Sequence, residues 1–233
     1  MDKNILIVGG TSGIGKELAA ILAKDNYKLF VTGRKNDYDS GNATYTYFDV
    51  GEDGDFADGF LPDVLHGLVY CPGTINLKPF ARLSDDDFME DYKINVLGAV
   101  KVLRQAIPAL KKAEGASVIM FSTVATKAGM PFHASVAAAK SAVEGLAISL
   151  AAEYSQSHIR FNVLAPSITD TPLASRILGS DSKRENSAQR HPLKRVGDAR
   201  EVAQTVKFLL SADSGWVTGQ VWAIDGGLAT LRS

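Results

Sequence analysis

An α/β fold, one doubly wound parallel sheet with helices on both faces, is predicted for this chain by three observations. Apolar runs of strand length alternate with longer stretches of helical period along nearly the whole sequence. A glycine-rich turn, Gly9-Gly10-Thr11-Ser12-Gly13-Ile14-Gly15, joins the first such run to the first such stretch. No internal repeat, low-complexity tract or linker breaks the alternation, so residues 1–233 are read as a single domain, long enough to bury a substantial core.

The strand candidates, in order, are Ile5–Val8, Lys28–Thr32, Tyr45–Phe48, Gly67–Tyr70, Ser117–Ser122, Arg160–Ala165 and Val221–Ile224. Between them, Ile14–Lys24, Asp86–Lys112, Phe132–Tyr154 and Asp198–Leu210 read as helices. Leu18, Ile21 and Leu22 share one face of the first helix, and Val202, Val206 and Leu209 share one face of the last. Crossovers between the parallel strands are expected to be right-handed. The most polar stretch, Gly179 to Arg190, lies between Thr171-Pro172-Leu173 and His191-Pro192-Leu193. It reads either as part of a mobile substrate segment around residues 171–193 or as an ordinary solvated helix.

The formal net charge is −1, with both signs scattered through the chain. No basic stripe points to nucleic acid, and no basic amphipathic helix points to a membrane surface. Cys71 is the only cysteine, which rules out an internal disulfide. The apolar run after Met1-Asp2-Lys3-Asn4 is too short for a signal peptide, and no run is read as reaching transmembrane length. A cytoplasmic protein is expected.

The glycine turn carries the first functional signal. Gly9, Gly13 and Gly15 stand where the chain must turn sharply and let a diphosphate approach the backbone. Free N–H groups at the start of a helix then face the anion, with Thr11, Ser12 and Ile14 alongside. A glycine cluster alone also fits a tight turn, but strand, turn and helix in this order point to a Rossmann-like dinucleotide site. The second strand is followed by Gly33-Arg34, where an NAD site usually carries a carboxylate for the ribose hydroxyl. Arg34 matches a 2′-phosphate in charge and geometry, so NADP(H) is the expected cofactor. Asp49 ends the third strand and either accepts from the adenine amino group or forms a turn.

With these residues in view, nearly the whole chain resembles the classical short-chain dehydrogenases/reductases. Asp49-Val50 is similar to that family's Asp after the third strand, and Gly73 to the last glycine of its Asn-Asn-Ala-Gly segment. Ile94-Asn95-Val96 resembles its helix asparagine. Ala165-Pro166-Ser167-Ile168-Thr169-Asp170-Thr171 resembles the segment that holds the nicotinamide amide. Pro192 to Gly197, Thr218-Gly219-Gln220 and Asp225-Gly226-Gly227 are similar to its C-terminal signature. The resemblance implies hydride transfer, catalytic roles for Asn95, Thr123 and Lys140, and cofactor contacts from Val50, Gly73, Lys140, Pro166, Ile168 and Thr171. It also implies a homodimer or homotetramer with closed symmetry.

The departures surround the chemistry. The family's Tyr-x-x-x-Lys becomes Val136-Ala137-Ala138-Ala139-Lys140, so the usual proton donor is absent. The family's serine, thirteen residues before that tyrosine, falls on Thr123, with Ser122 beside it. Asn-Asn-Ala-Gly becomes Tyr70-Cys71-Pro72-Gly73. His133 lies seven residues before Lys140, which resembles the Tyr-x6-Lys spacing of the enoyl-acyl-carrier-protein reductase branch, with His in place of Tyr. Histidine titrates near ~6.5 and suits proton transfer; the alternative is a loop histidine without chemistry. Tyr70 and Tyr92 are weaker candidates, and His191 reads as a surface or lid residue. No residue group has metal-ligand spacing. The expected protein is an NADP(H)-dependent oxidoreductase for a small carbonyl, alcohol or activated C=C substrate. The alternative is an NADP(H)-binding sensor or assembly partner without turnover.

Overall fold

The computed structural model describes residues 3–25, 27–35 and 41–231; Met1 and Asp2, read above as part of the N-terminal approach, lie outside them. Seven strands form one sheet: β1 (Asn4–Val8), β2 (Lys28–Gly33), β3 (Thr44–Tyr47), β4 (Gly67–Tyr70), β5 (Ala116–Phe121), β6 (Ile159–Pro166) and β9 (Val221–Ile224). Their order across the sheet is β3-β2-β1-β4-β5-β6-β9. Every neighbouring pair is parallel. Two short strands, β7 (Thr169–Asp170) and β8 (Gly197–Asp198), pair separately beyond the sheet. They are too short to leave a periodic signal and were not legible in the sequence.

The sheet is sandwiched because its strands alternate faces. Leu6, Val8, Leu68, Tyr70, Val118 and Met120 pack in one cluster with Val102, Leu103 and Ala106 of α3 (Gly98–Leu110) and Ala139, Val143 and Ala147 of α5 (Ala134–Glu153). Ile5, Ile7, Val69 and Ile119 pack on the other side with Leu18, Ile21 and Leu22 of α1 (Gly13–Leu22) and Val202, Val206 and Leu209 of α7 (Ala199–Leu210). α7 starts in a capping box, with Asp198 and Glu201 bonded reciprocally to the backbone.

The predicted helix Asp86–Lys112 divides into α2 (Asp85–Tyr92), a π-helical turn (Lys93–Leu97) and α3. Ser84 and Asp87 cap its start reciprocally. The predicted Phe132–Tyr154 begins two residues later, because Phe132 has a φ of 70° and cannot enter a right-handed helix. A short α4 (Ala125–Ala128) precedes it, and α6 (Asp181–Gln189), capped by Ser180, fills the polar stretch. One sequence reading is corrected here. α5 is, by length and composition, apolar enough to cross a membrane. Its alanines raise the hydropathy, but in the fold it packs on β6 and α2, and its mid-helix Lys140 is buried.

Candidate active site

The strand order reverses between β1 and β4, where Val8 and Tyr70 stand side by side. The crevice beyond such neighbouring strand ends is the expected ligand site. Gly9 leaves β1 with a φ of 76°, and a Cβ there would meet the Pro72 ring at 3.3 Å. At Gly15 a Cβ would lie 2.5 Å from the Gly9 carbonyl oxygen. The turn is therefore closed by backbone-to-backbone contact that only glycine permits.

Ser12 takes the N-cap position of α1, yet its side chain makes no capping bond and the first turn holds no acid. The amides at Gly13, Ile14 and Gly15 have no partner inside the helix and sit at its positive end. Thr171 lies over this turn, 3.5 Å from where a Gly13 Cβ would be. These features fit a diphosphate. Thr11 is buried, and its side chain would be 2.4 Å from a Cβ at Gly33. Packing thus excludes a carboxylate at position 33.

Arg34 follows with its side chain 76% exposed and its guanidinium 3.9 Å from the Asp49 carboxylate. Asp49 also accepts from the Gly51 amide at 2.9 Å, so the turn-forming reading of this residue is realised. Val50 is buried in the core beside Gly98, and its carbonyl accepts from Lys101 at 3.3 Å.

At the other end, the π-helical turn carries Asn95 into the interior, where it is 1% exposed. Its Nδ2 donates to the Asp91 carbonyl at 2.7 Å and to Thr74 Oγ1 at 2.9 Å, while its Oδ1 has no partner. Lys140, also buried, donates to the Phe121 carbonyl at 2.9 Å. Asn95 Oδ1 and Lys140 Nζ converge on Gly73, at 3.2 and 3.1 Å from the position of an added Cβ. Burial lowers the Lys140 pKa to about 8, partly opposed by Asp91. The structure thus unites Gly73, Asn95 and Lys140. Sequence reasoning missed Asp91, Thr74 and Ser135, whose hydroxyl donates to Asp91 at 2.5 Å.

Val136 is buried at 5% exposure, one turn before Lys140. Thr123 lies just past β5, half-buried, and its Oγ1 accepts from the Ala125 amide at 3.3 Å. Ser122 is turned away, buried and donating to Glu144 at 2.5 Å, a pairing the sequence did not signal. His133 takes the N-cap position of α5 without a side-chain capping bond, partly exposed, with Nδ1 2.7 Å from the Pro131 carbonyl. No hydrogen bond among the described residues joins it to Thr123, Asn95 or Lys140. It stands three residues before Val136, at the non-helical N-cap position of α5. Tyr70 donates to the Ile94 carbonyl at 2.5 Å, and burial raises its pKa. Burial pushes the Cys71 thiol up to about 12.

Pro166 accepts from the Val124 amide at 3.1 Å, and the Ile168 carbonyl accepts from Gly197 at 3.0 Å. These bonds hold the Pro166–Thr171 segment across the strand ends. His191 is not the surface residue expected from its polar surroundings. It is 2% exposed, with Nε2 2.8 Å from Ser167 Oγ and Nδ1 2.8 Å from the Ser187 carbonyl. The chain returning from α6 tucks it under that segment.

A glycine turn at the switch between β1 and β4, with a buried asparagine and lysine beyond β4, is the arrangement expected of a nucleotide-dependent oxidoreductase class. A family model described as enoyl-(acyl carrier protein) reductase matches residues 8–229, and the chain belongs to that family, among the short-chain dehydrogenases/reductases. It is 30% identical to the 3-oxoacyl-[acyl-carrier-protein] reductase MabA of Mycobacterium tuberculosis, over 98% of this chain and 93% of that protein. A short-chain type dehydrogenase/reductase from Mycobacterium ulcerans superimposes with a TM-score of 0.87 at 27% identity, covering 100% of this chain and 92% of the other. ElxO, solved with NADP bound, gives 0.86 at 25% identity, covering 99% of this chain and 100% of its own.

Proposed function

We propose that this chain is a cytoplasmic NADP(H)-dependent oxidoreductase for a small carbonyl, alcohol or activated C=C compound. One observation carries the reading: an uncapped helix start and the buried pair Asn95 and Lys140 lie along one crevice, with Arg34 at its β2 end. Gly9, Thr11, Ser12, Gly13, Ile14 and Gly15 would hold the diphosphate, and Arg34 the 2′-phosphate, with Asp49 and Val50 toward the adenine. Gly73, Lys140, Pro166, Ile168 and Thr171 would hold the nicotinamide half. When bound, that group supplies or takes a hydride. Thr123 orients the substrate oxygen, and Asn95 and Lys140 fix the surrounding polarity.

Val136 has no proton to give, and His133, at the start of the same helix, donates or relays it instead. For a C=C substrate the proton comes from water. Residues 171–193 border the substrate within the single domain. The partner is a small molecule, not nucleic acid or a membrane. A second copy joins through α2, α3 with the π-helical turn between them, and α5, a reading supported by exposed Met89 on α2, Leu97 on that turn and Ile148 on α5, to give a homodimer or homotetramer.

The test is titration with NADPH and NADH, followed by a panel of carbonyls and enones monitored by cofactor absorbance. NADPH binding with turnover of any member supports the proposal; binding of neither cofactor refutes it. The buried Val136 favours a second reading, an NADP(H)-responsive partner without turnover. Tight NADPH binding with an inert panel selects that reading.

A further inference from the structure

Asp91 is a carboxylate to which the proposed chemistry gives no role. It lies on α2, one turn before Asn95, and is 1% exposed. Thr74 donates its hydroxyl to Oδ1, and Ser135 donates to Oδ2 at 2.5 Å. Both donors are neutral. No ion pair among the described residues includes Asp91.

Lys140 is the mirror case, a buried ammonium whose hydrogen-bond partner is the Phe121 carbonyl. The two buried charges share one shell. Asn95 binds the Asp91 carbonyl with Nδ2 and turns Oδ1 toward Gly73, where Lys140 Nζ also arrives. Ser135, which holds Asp91, stands five residues before Lys140 on the same helix. An isolated buried charge costs several kcal/mol, and opposite charges across a few ångströms of low-dielectric interior offset that cost without touching.

We propose that Asp91 is the counter-charge of Lys140, a positioning residue that keeps the lysine cationic in a site where valine has replaced the family's tyrosine. Val136 places an apolar group beside the lysine and deepens its desolvation; Asp91 compensates from α2. The other titratable group facing Lys140 is Cys71, beyond β4, whose raised pKa leaves it a neutral thiol. Glu144, one turn further along α5, is taken up by Ser122 and Thr126. The consequence for function rests on the cofactor reading: Lys140 keeps its hold on NADP(H) at neutral pH because of Asp91.

The experiment is a double-mutant cycle on the cofactor-free protein. The parent, Asp91→Asn, Lys140→Met and the double variant are unfolded in urea from pH 7 to 10.5. Asp91→Asn should move the alkaline rise in stability that belongs to Lys140 by about one pH unit or more toward acid. The double variant should be more stable than the two single losses predict. Asparagine keeps the side-chain shape, so a purely structural role would shift neither reading. If Asp91→Asn does not fold, folding of the double variant supports the proposal, and failure of both overturns it. Superimposable pH profiles, or additive losses, also overturn it. NADPH titration in the same buffers adds a second reading. Affinity should weaken above about pH 8 in the parent and at lower pH in Asp91→Asn. A protein that binds no NADPH refutes the cofactor reading and leaves the result of the cycle standing.

Discussion

Lys140 stores a pH-dependent penalty in the fold that can be measured without any substrate. Burial lowers its pKa from the ordinary 10.5 to about 8. Below about pH 8 both folded and unfolded chains hold the proton, and the fold carries the full cost of a buried ammonium. Between about 8 and 10.5 the unfolded chain binds more protons than the folded one, so this residue makes stability rise with pH. Above that window both states are neutral and the penalty is gone. The gap corresponds to about 3 kcal/mol at ~1.4 kcal/mol per pH unit. Lys140→Met removes the titrating group and keeps most of the apolar stem. The stability of the parent relative to this variant should therefore rise by about 3 kcal/mol from pH 7 to 10.5, equivalent to roughly 6–12 °C in Tm for a chain of this size. Urea unfolding and thermal scans of both proteins, without cofactor, read this difference, and the titrating groups that do not interact with Lys140 cancel. Parallel stability curves for the two proteins would refute the reasoning, because the lysine would then be solvated in the folded state.

Four further outcomes are expected. Arg34→Ala should weaken NADPH by ~1.5–3 kcal/mol and leave NADH nearly unchanged; equal titration of both cofactors by the parent contradicts this. Gly33→Asp should not convert the site to NAD, because its Cβ would collide with Thr11; a loss of about 1–3 kcal/mol in urea unfolding is expected, and a stable NADH-preferring variant would show the collision can be relieved. Val136→Tyr overfills a buried position and should cost about 1–3 kcal/mol; a variant as stable as the parent would reveal room for the ring. His133→Ala and His133→Gln should both lose ~10²–10⁴ in turnover with cofactor affinity retained, once a substrate is found; parent-like rates in both remove His133 from the mechanism.

Much of the architecture was legible because its causes are local. β1, β2, β4 and β5 are buried on both faces and so appear as continuous apolar runs. The α1 and α7 stripes repeat at helical period, and the Gly9–Gly15 turn announces itself because a Cβ at Gly15 would strike the Gly9 carbonyl and Gly9 and Gly13 have positive φ. Counting from Lys140 was enough to pick out Val136 and Thr123 as the positions that the family resemblance singles out.

What the chain order could not reveal depended on which faces meet. Asp91 follows Asp85, Asp86 and Asp87, a run that indeed lies at a helix start as solvated caps do. A signal existed in its position one turn before Asn95, on the inward stripe, but only the packing of α2 against α5 buries it and sets Thr74 and Ser135 around it. His191 likewise reads as polar-loop surface, and becomes core only when the chain returning from α6 packs against the end of β6. The sequence by itself determined the alternation of strands and helices, the glycine turn after β1 and the spacing of Val136 from Lys140, because these follow from backbone sterics, apolar periodicity and residue order. The tertiary structure alone decided which charges lose their water, because desolvation depends on contacts between residues far apart in the chain.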